Sequence, residues 1–223
     1  MKTVVSFVKT MAWIRTVKPG ATQCAPPQQR PCSIPIDPFA ANAFRKLPID
    51  APNLLTHAEV MLQRHESALS DSVRELSPRV SFETVHPIRK GVLVHTDCGP
   101  GNIVSSPDGL RLIDWQCPGI GDGLQDVLTF VSPAMQLLYG YPVLTLAEEQ
   151  RFLGVYFSVL DEHPTDAMET SERLRMTRSS HHYRFAAYCA MRAQDTASSD
   201  EKTSRLYSVA LQAEIQMLHR LLS

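Results

Sequence analysis

The chain has no apolar run approaching the roughly 18 residues that a membrane span takes. It has no excess of either charge, with 22 Lys and Arg against 23 Asp and Glu, and no basic run. Neither nucleic acid nor an anionic membrane surface is therefore expected as a partner. The five cysteines, Cys24, Cys32, Cys98, Cys117 and Cys189, are odd in number and in no CxxC spacing. They read as free thiols of a reducing cytoplasm, and Cys24 and Cys32 lack partners for a zinc site. The N-terminal stretch TVVSFV is too short for a signal-peptide core, and Lys9 and Arg15 break up the apolar residues after it. Glycine is also scarce early on: Gly20 stands alone before Gly91, so no GxG precedes it.

The chain does have the composition of a globular protein, 43% apolar and 20% charged over 223 residues. Val4, Val8, Met11 and Ala12 form a helical stripe over residues 3–17, which Pro19-Gly20 ends. The proline-rich residues 19–52 read as an irregular surface connector. Residues 1–50 are thus an N-terminal helix and connector, and residues 51–223 the folded body. A helix is expected from a capping box at Thr56 and Glu59, with Leu55 and Val60 as a hydrophobic staple. Met61, His65 and Leu69 would continue its face. Thr145 with Glu148, and Ser198 with Glu201, make two further capping boxes. Phe152, Tyr156, Val159 and Leu160 form an apolar face after the first. Leu206, Ala210, Leu211, Ile215 and Leu218 do so after the second.

The polar residues that stand out lie in VLVHTDCGPGNIVSSPDGLRLIDWQ. Val92-Leu93-Val94 reads as a buried strand running into His95 and Asp97. Ile103-Val104 and Leu110 to Ile113 flank a Pro-Asp-Gly turn, which makes a hairpin. Asn102 precedes one arm and Asp114 ends the other, so both come to the open end. Asp97 lies across the short loop Gly99-Pro100-Gly101. An Asp and an Asn are hard oxygen ligands suited to Mg²⁺. A second carboxylate off the metal can accept a proton from an attacking hydroxyl. Together they suit phosphoryl transfer.

His95-x-Asp97-x4-Asn102, the hairpin, Asp114-Trp115 and Gly121-Asp122-x3-Asp126 resemble the aminoglycoside phosphotransferase and choline kinase-like family. The resemblance implies an α+β, mainly helical fold: a protein kinase-like C-terminal lobe with a catalytic β-hairpin. It implies Asp97 as catalytic base, His95 as orienter of the catalytic loop, and Asn102 and Asp114 as holders of Mg²⁺ and of the nucleotide phosphates. Asp126 would accept hydrogen bonds from the loop backbone. Asp122 would brace the site or face the substrate, and helix N-terminal charge is the plainer role for both. ATP is then the donor, and a small-molecule hydroxyl such as that of an amino sugar or choline the acceptor.

The family's strand-rich first lobe has no counterpart among the first 91 residues. A strand at Val4 to Lys9 leaves only eight residues ahead of Lys9 for a glycine-rich hairpin. The expectation is a second lobe alone, exposing an apolar face for a second copy or another partner to cover. Two rivals remain: a noncatalytic binding protein or remnant, and a metal-dependent phosphohydrolase using His95, Asp97 and Asp114 as ligands. Other residues point less sharply. The GIGDG run lacks the setting of a dinucleotide fingerprint. His181-His182 read as solvated or half-buried, and Cys98 and Cys117 as small core residues. The carboxylates from Glu148 to Glu172 suit a cationic acceptor or a solvated helix face. Trp115, Tyr139, Tyr141, Tyr183 and Tyr188 suit a cation cage or core packing.

Overall fold

The structure, a computed structural model, describes residues 45–46, 51–80, 92–106, 109–116, 118–160 and 164–223. The expected helix at 3–17, the turn at 107–108 and Cys117 lie outside them. The strands are β1 (Arg45–Lys46), β2 (Val92–Val94), β3 (Ile103–Ser106), β4 (Gly109–Leu112) and β5 (Gly119–Gly121). The helices are α1 (Ala51–Gln63), α2 (Ala68–Arg74), α3 (Leu124–Val131), α4 (Pro133–Leu138), α5 (Leu146–Leu160), α6 (Pro164–Thr196) and α7 (Glu201–Leu221). Helix dominates, and none of these helices is long and apolar enough to cross a membrane.

The expected hairpin is present: β3 and β4 are antiparallel, with Ile103 opposite Leu112 and Ser106 opposite Gly109. β2 forms where the apolar run predicts it. Its partner does not come from the hairpin. β5 lies in the middle of a three-stranded sheet, antiparallel to β2 and parallel to β1. The GIGDG stretch and the connector thus each supply a strand that periodicity does not reveal. Glycines carry no apolar cue, and a two-residue strand is too short for a pattern.

α1 begins at Ala51, ahead of the expected Thr56 cap, so Thr56 lies inside the helix. A proline in the first turn, here Pro52, forfeits no helical bond, which allows the earlier start. Val60 is 63% exposed, so no staple forms. Nor is the face continuous to Leu69. The helix stops at Gln63, and Ser67 caps α2 by accepting from Ser70 N at 3.2 Å. His65 sits in the joint and bonds Asp195 across 2.7 Å. The α5 capping box is as expected: Thr145 N donates to Glu148 Oε2 at 2.8 Å and Glu148 N to Thr145 Oγ1 at 3.3 Å. At α7 the cap is Asp200, which takes both the N–H and the hydroxyl of Thr203, at 3.0 and 2.6 Å. A carboxylate directly before the helix serves better there than Ser198.

The core falls into two clusters. One packs Cys98, Leu124, Val127, Leu128 and Val131 against Phe152, Tyr156 and Leu174, beneath the hairpin. The other joins α1, α2, α6 and α7 through Leu62, Val73, Tyr183, Leu211 and Leu218. Buried alanines on α6 (Ala186, Ala187, Ala190 and Ala193) let neighbouring helices come close. On α7, Ala210, Leu211 and Leu218 are buried, whereas Leu206 is 39% exposed.

His181 and His182 are both buried, not solvated. Desolvation holds the His181 imidazole well below its ordinary value. His182 belongs to a polar knot around the fully buried Glu214, which accepts from His182 Nδ1 at 2.7 Å, from Ala134 N at 3.0 Å and from Ser132 Oγ. Ser132 Oγ also accepts from Met135 N, so the knot fixes the start of α4. Removing one member of such a knot leaves several buried donors without an acceptor. Glu214→Ala is expected to lower the unfolding free energy by about 3–5 kcal/mol. The exposed cap change Thr145→Ala should cost only about 1 kcal/mol. Urea denaturation of the two variants checks the contrast.

Candidate active site

The loop after β2 leaves the sheet with Thr96 at φ 73°. A β-branched residue adopts that left-handed conformation only under constraint. The constraint is Asp126, in the first turn of α3. Its Oδ2 accepts from His95 N at 2.7 Å and its Oδ1 from Thr96 N at 2.9 Å. Two consecutive amides are thus satisfied by one carboxylate, itself only 4% exposed. Asp126 thus accepts hydrogen bonds from the backbone of the loop after β2. Burial pushes the carboxyl up from 3.8 to about 6, against the pull of its two amide donors.

His95 is 1% exposed. Its Nε2 lies 2.7 Å from the carbonyl of Ile113. A carbonyl only accepts, so Nε2 carries the proton. The ring also meets Trp115 edge-on, at 4.6 Å between centroids. His95 therefore ties the loop after β2 to the end of β4. Trp115 Nε1 donates back to Leu112 O at 3.1 Å.

Asn102 is buried, and its amide nitrogen donates to Asp97 O at 2.8 Å, to Asp97 Oδ2 at 3.1 Å and to Tyr139 OH at 3.0 Å. An amide's oxygen lies opposite its nitrogen, so Oδ1 is turned away from Asp97. The Asn102 carbonyl accepts from Ile113 N at 2.9 Å. Asp114 comes next, at φ 62°, with its side chain exposed. Asp97 is exposed too. The backbone therefore gathers Asp97, Asn102 and Asp114 at one open end, as the hairpin geometry requires. The side chains of Asp97 and Asp114 are exposed, and the Asn102 amide is held by its nitrogen. An amide oxygen and a carboxylate are hard oxygen donors of the kind Mg²⁺ takes.

Asp122 does not face this end. Its Oδ1 accepts from Leu124 N at 3.0 Å, and Arg173 Nε of α6 donates to its Oδ2 at 3.2 Å. Both side chains are buried, so Asp122 braces α3 and pins it to α6. Arg173 carries no signal in the sequence. Cys98 is buried under the loop, as expected, and burial raises its thiol well above the ordinary value.

Tyr139, just past α4, joins the site directly. Its hydroxyl donates to Asp97 Oδ2 at 2.8 Å. Burial, then Asp97, and more weakly Asp114, push the phenol well above its usual value, which keeps the proton on it. The sequence groups Tyr139 with four other aromatics and does not single it out. Gly99 and Gly101, where a ring can lie close to the chain, are the one trace of it. Among the described residues, no three of His, Cys, Asp and Glu gather as a metal cluster.

Residues 20–155 match the family described as APH, phosphotransferase enzyme family. Among solved structures, the chain is similar to a Plasmodium vivax ethanolamine kinase, with a TM-score of 0.53 and 12% identity, over 98% of this chain and 60% of that one. It is also similar to a spectinomycin phosphotransferase solved with ADP and spectinomycin, with a TM-score of 0.41 and 15% identity, over 99% of this chain and 66% of that one. No curated protein matches the sequence. At 12% identity the likeness to the ethanolamine kinase is one of fold, and the chain spans about three-fifths of that kinase's length.

The Asp126 carboxyl predicts a pH effect. Its folded value, about 6, exceeds its ordinary 3.8, so the folded chain holds the proton more tightly than the unfolded one. The resulting stabilisation is full below the unfolded value and is lost as pH rises through the folded one. Asp126→Asn removes this titration. The stability of the wild type relative to Asp126→Asn should fall by on the order of 1–3 kcal/mol between about pH 4 and about pH 7. Urea midpoints across that range test it, and a flat difference would contradict it.

Proposed function

The chain belongs to the APH phosphotransferase enzyme family, and from that premise we propose that it is a kinase lobe that moves the γ-phosphoryl group of ATP to a small-molecule hydroxyl. The observation that supports this most is the direct contact of Asp97 with Asn102, 3.1 Å from carboxylate to amide nitrogen. It sets a base beside a metal-holding amide whose oxygen points the other way. In this reading Asn102 and Asp114 hold the Mg²⁺ of Mg-ATP. Bound Mg-ATP supplies the phosphoryl group and neutralises the charge that builds on it. Asp97, exposed at the mouth, accepts the acceptor's hydroxyl proton. His95 orients the loop through its bond to the Ile113 carbonyl. Asp126 and Asp122 hold the loop and α3 in place.

In the same proposal, residues 51–223 form the catalytic lobe of a cytoplasmic enzyme. A second copy or another protein covers the lobe's exposed face. The acceptor is a small amino alcohol or amino sugar. Ethanolamine, the substrate named for the similar kinase, heads the screen. The phosphohydrolase alternative needs the His95 ring turned to a metal with Asp97 and Asp114, and its bond to Ile113 speaks against that.

Asp97→Asn is expected to reduce kcat by about 10²–10⁴-fold, as the loss of a general base does. Its affinity for Mg-ADP should stay near that of the wild type in calorimetry, whereas Asp114→Ala should abolish Mg-dependent nucleotide binding. A wild-type chain that gives no heat with millimolar Mg-ATP would sink the proposal of an active kinase in favour of a noncatalytic role.

A further inference from the structure

We propose that Tyr139 is a positioning residue of the phosphoryl-transfer centre, holding the Asp97 carboxylate and the Asn102 amide in one fixed relation. This rests on the phosphotransferase reading and adds to it a residue outside the motif that carries that reading.

Two independent observations meet at Tyr139. The first is packing. A Cβ on Gly99 would lie 2.0 Å from Tyr139 Cε2, and one on Gly101 would lie 2.1 Å from Cδ1. The ring therefore lies directly on the loop between Asp97 and Asn102, in space that any side chain at either glycine would take. The second is the direction of the hydrogen bonds. The Asp97 carboxylate can only accept and the Asn102 –NH₂ can only donate. The phenol between them accepts from Asn102 Nδ2 at 3.0 Å and donates to Asp97 Oδ2 at 2.8 Å. The chain of bonds runs one way, from amide to phenol to carboxylate.

That direction has two consequences. A flipped Asn102 would turn its oxygen toward the Asp97 oxygens, so the amide is locked with Oδ1 outward, where a metal ligand is needed. Asp97 Oδ2 is occupied by the phenol and the amide, which leaves Oδ1 to take the proton of the acceptor hydroxyl. The two carboxylate oxygens thus divide into a held one and a working one. Tyr139 is itself well placed to impose this. It ends α4, whose start is fixed by the Glu214 knot, and α4 directly follows the helix that carries Asp126.

Tyr139→Phe in the full chain removes the hydroxyl and keeps the ring on the glycines. Gly101→Ala does the reverse, displacing the ring and sparing the hydroxyl. With Mg-ATP and a panel of amino alcohols and amino sugars, each variant is expected to lose about 10–100-fold in kcat. For Tyr139→Phe the melting temperature should stay at the wild-type value, and the KM for Mg-ATP should rise as the Asn102 amide loses its lock. A residue that only packs would leave Tyr139→Phe fully active, and Gly101→Ala would act only by lowering the melting temperature. Turnover by the wild type with Tyr139→Phe at the same kcat overturns the role of Tyr139 alone. No turnover by the wild type with any acceptor on the panel overturns the phosphotransferase reading and this role with it.

Discussion

The Asp126 carboxylate, buried beneath two consecutive backbone N–H groups, is the constraint on which the site depends. Ionised carboxylates are costly to bury, and this one is tolerated because His95 N and Thr96 N meet both its oxygens. In return it holds Thr96 in a left-handed conformation that a threonine avoids. That bend ends β2 and throws Asp97 outward. Without it, the strand would continue and the loop would not reach Asn102.

The site divides its polar groups by exposure. His95, Asn102, Asp122, Asp126 and Arg173 are buried and each hydrogen-bonds within the fold. Asp97 and Asp114 are exposed. The buried set fixes positions, and the exposed set is left for solvent, metal or substrate. Such preorganisation suits phosphoryl transfer, in which positioning and charge do most of the work. Two clamps extend the order outward: Asp122 with Arg173 joins α3 to α6, and Glu214 with Ser132 and His182 joins α4 to α6 and α7.

Much of this is legible in the sequence, and the limits have physical reasons. His95, Asp97, Asn102 and Asp114 are close in sequence across the β3–β4 hairpin, so their convergence follows from local rules. The bracing by Asp126 follows from the motif. Tyr139, Arg173 and Glu214 reach their partners through helix packing, which no local pattern encodes. β5 goes unread because two of its three residues are glycine. The start of α1 is misplaced because a good capping box at Thr56 competes with a first-turn proline, and packing of Leu54 and Ala58 decides between them. His181 and His182 are adjacent, which argues against a shared ligand but does not forecast that both are buried.

Transfer of phosphate from ATP to an alcohol at this site is tested most directly by ³¹P NMR of the full chain with Mg-ATP and ethanolamine or an amino sugar. The expected result is that the ATP γ-phosphate signal gives way to a phosphomonoester of the acceptor, with ADP in equal amount. Release of inorganic phosphate alone, or an ATP spectrum that does not change, would contradict it.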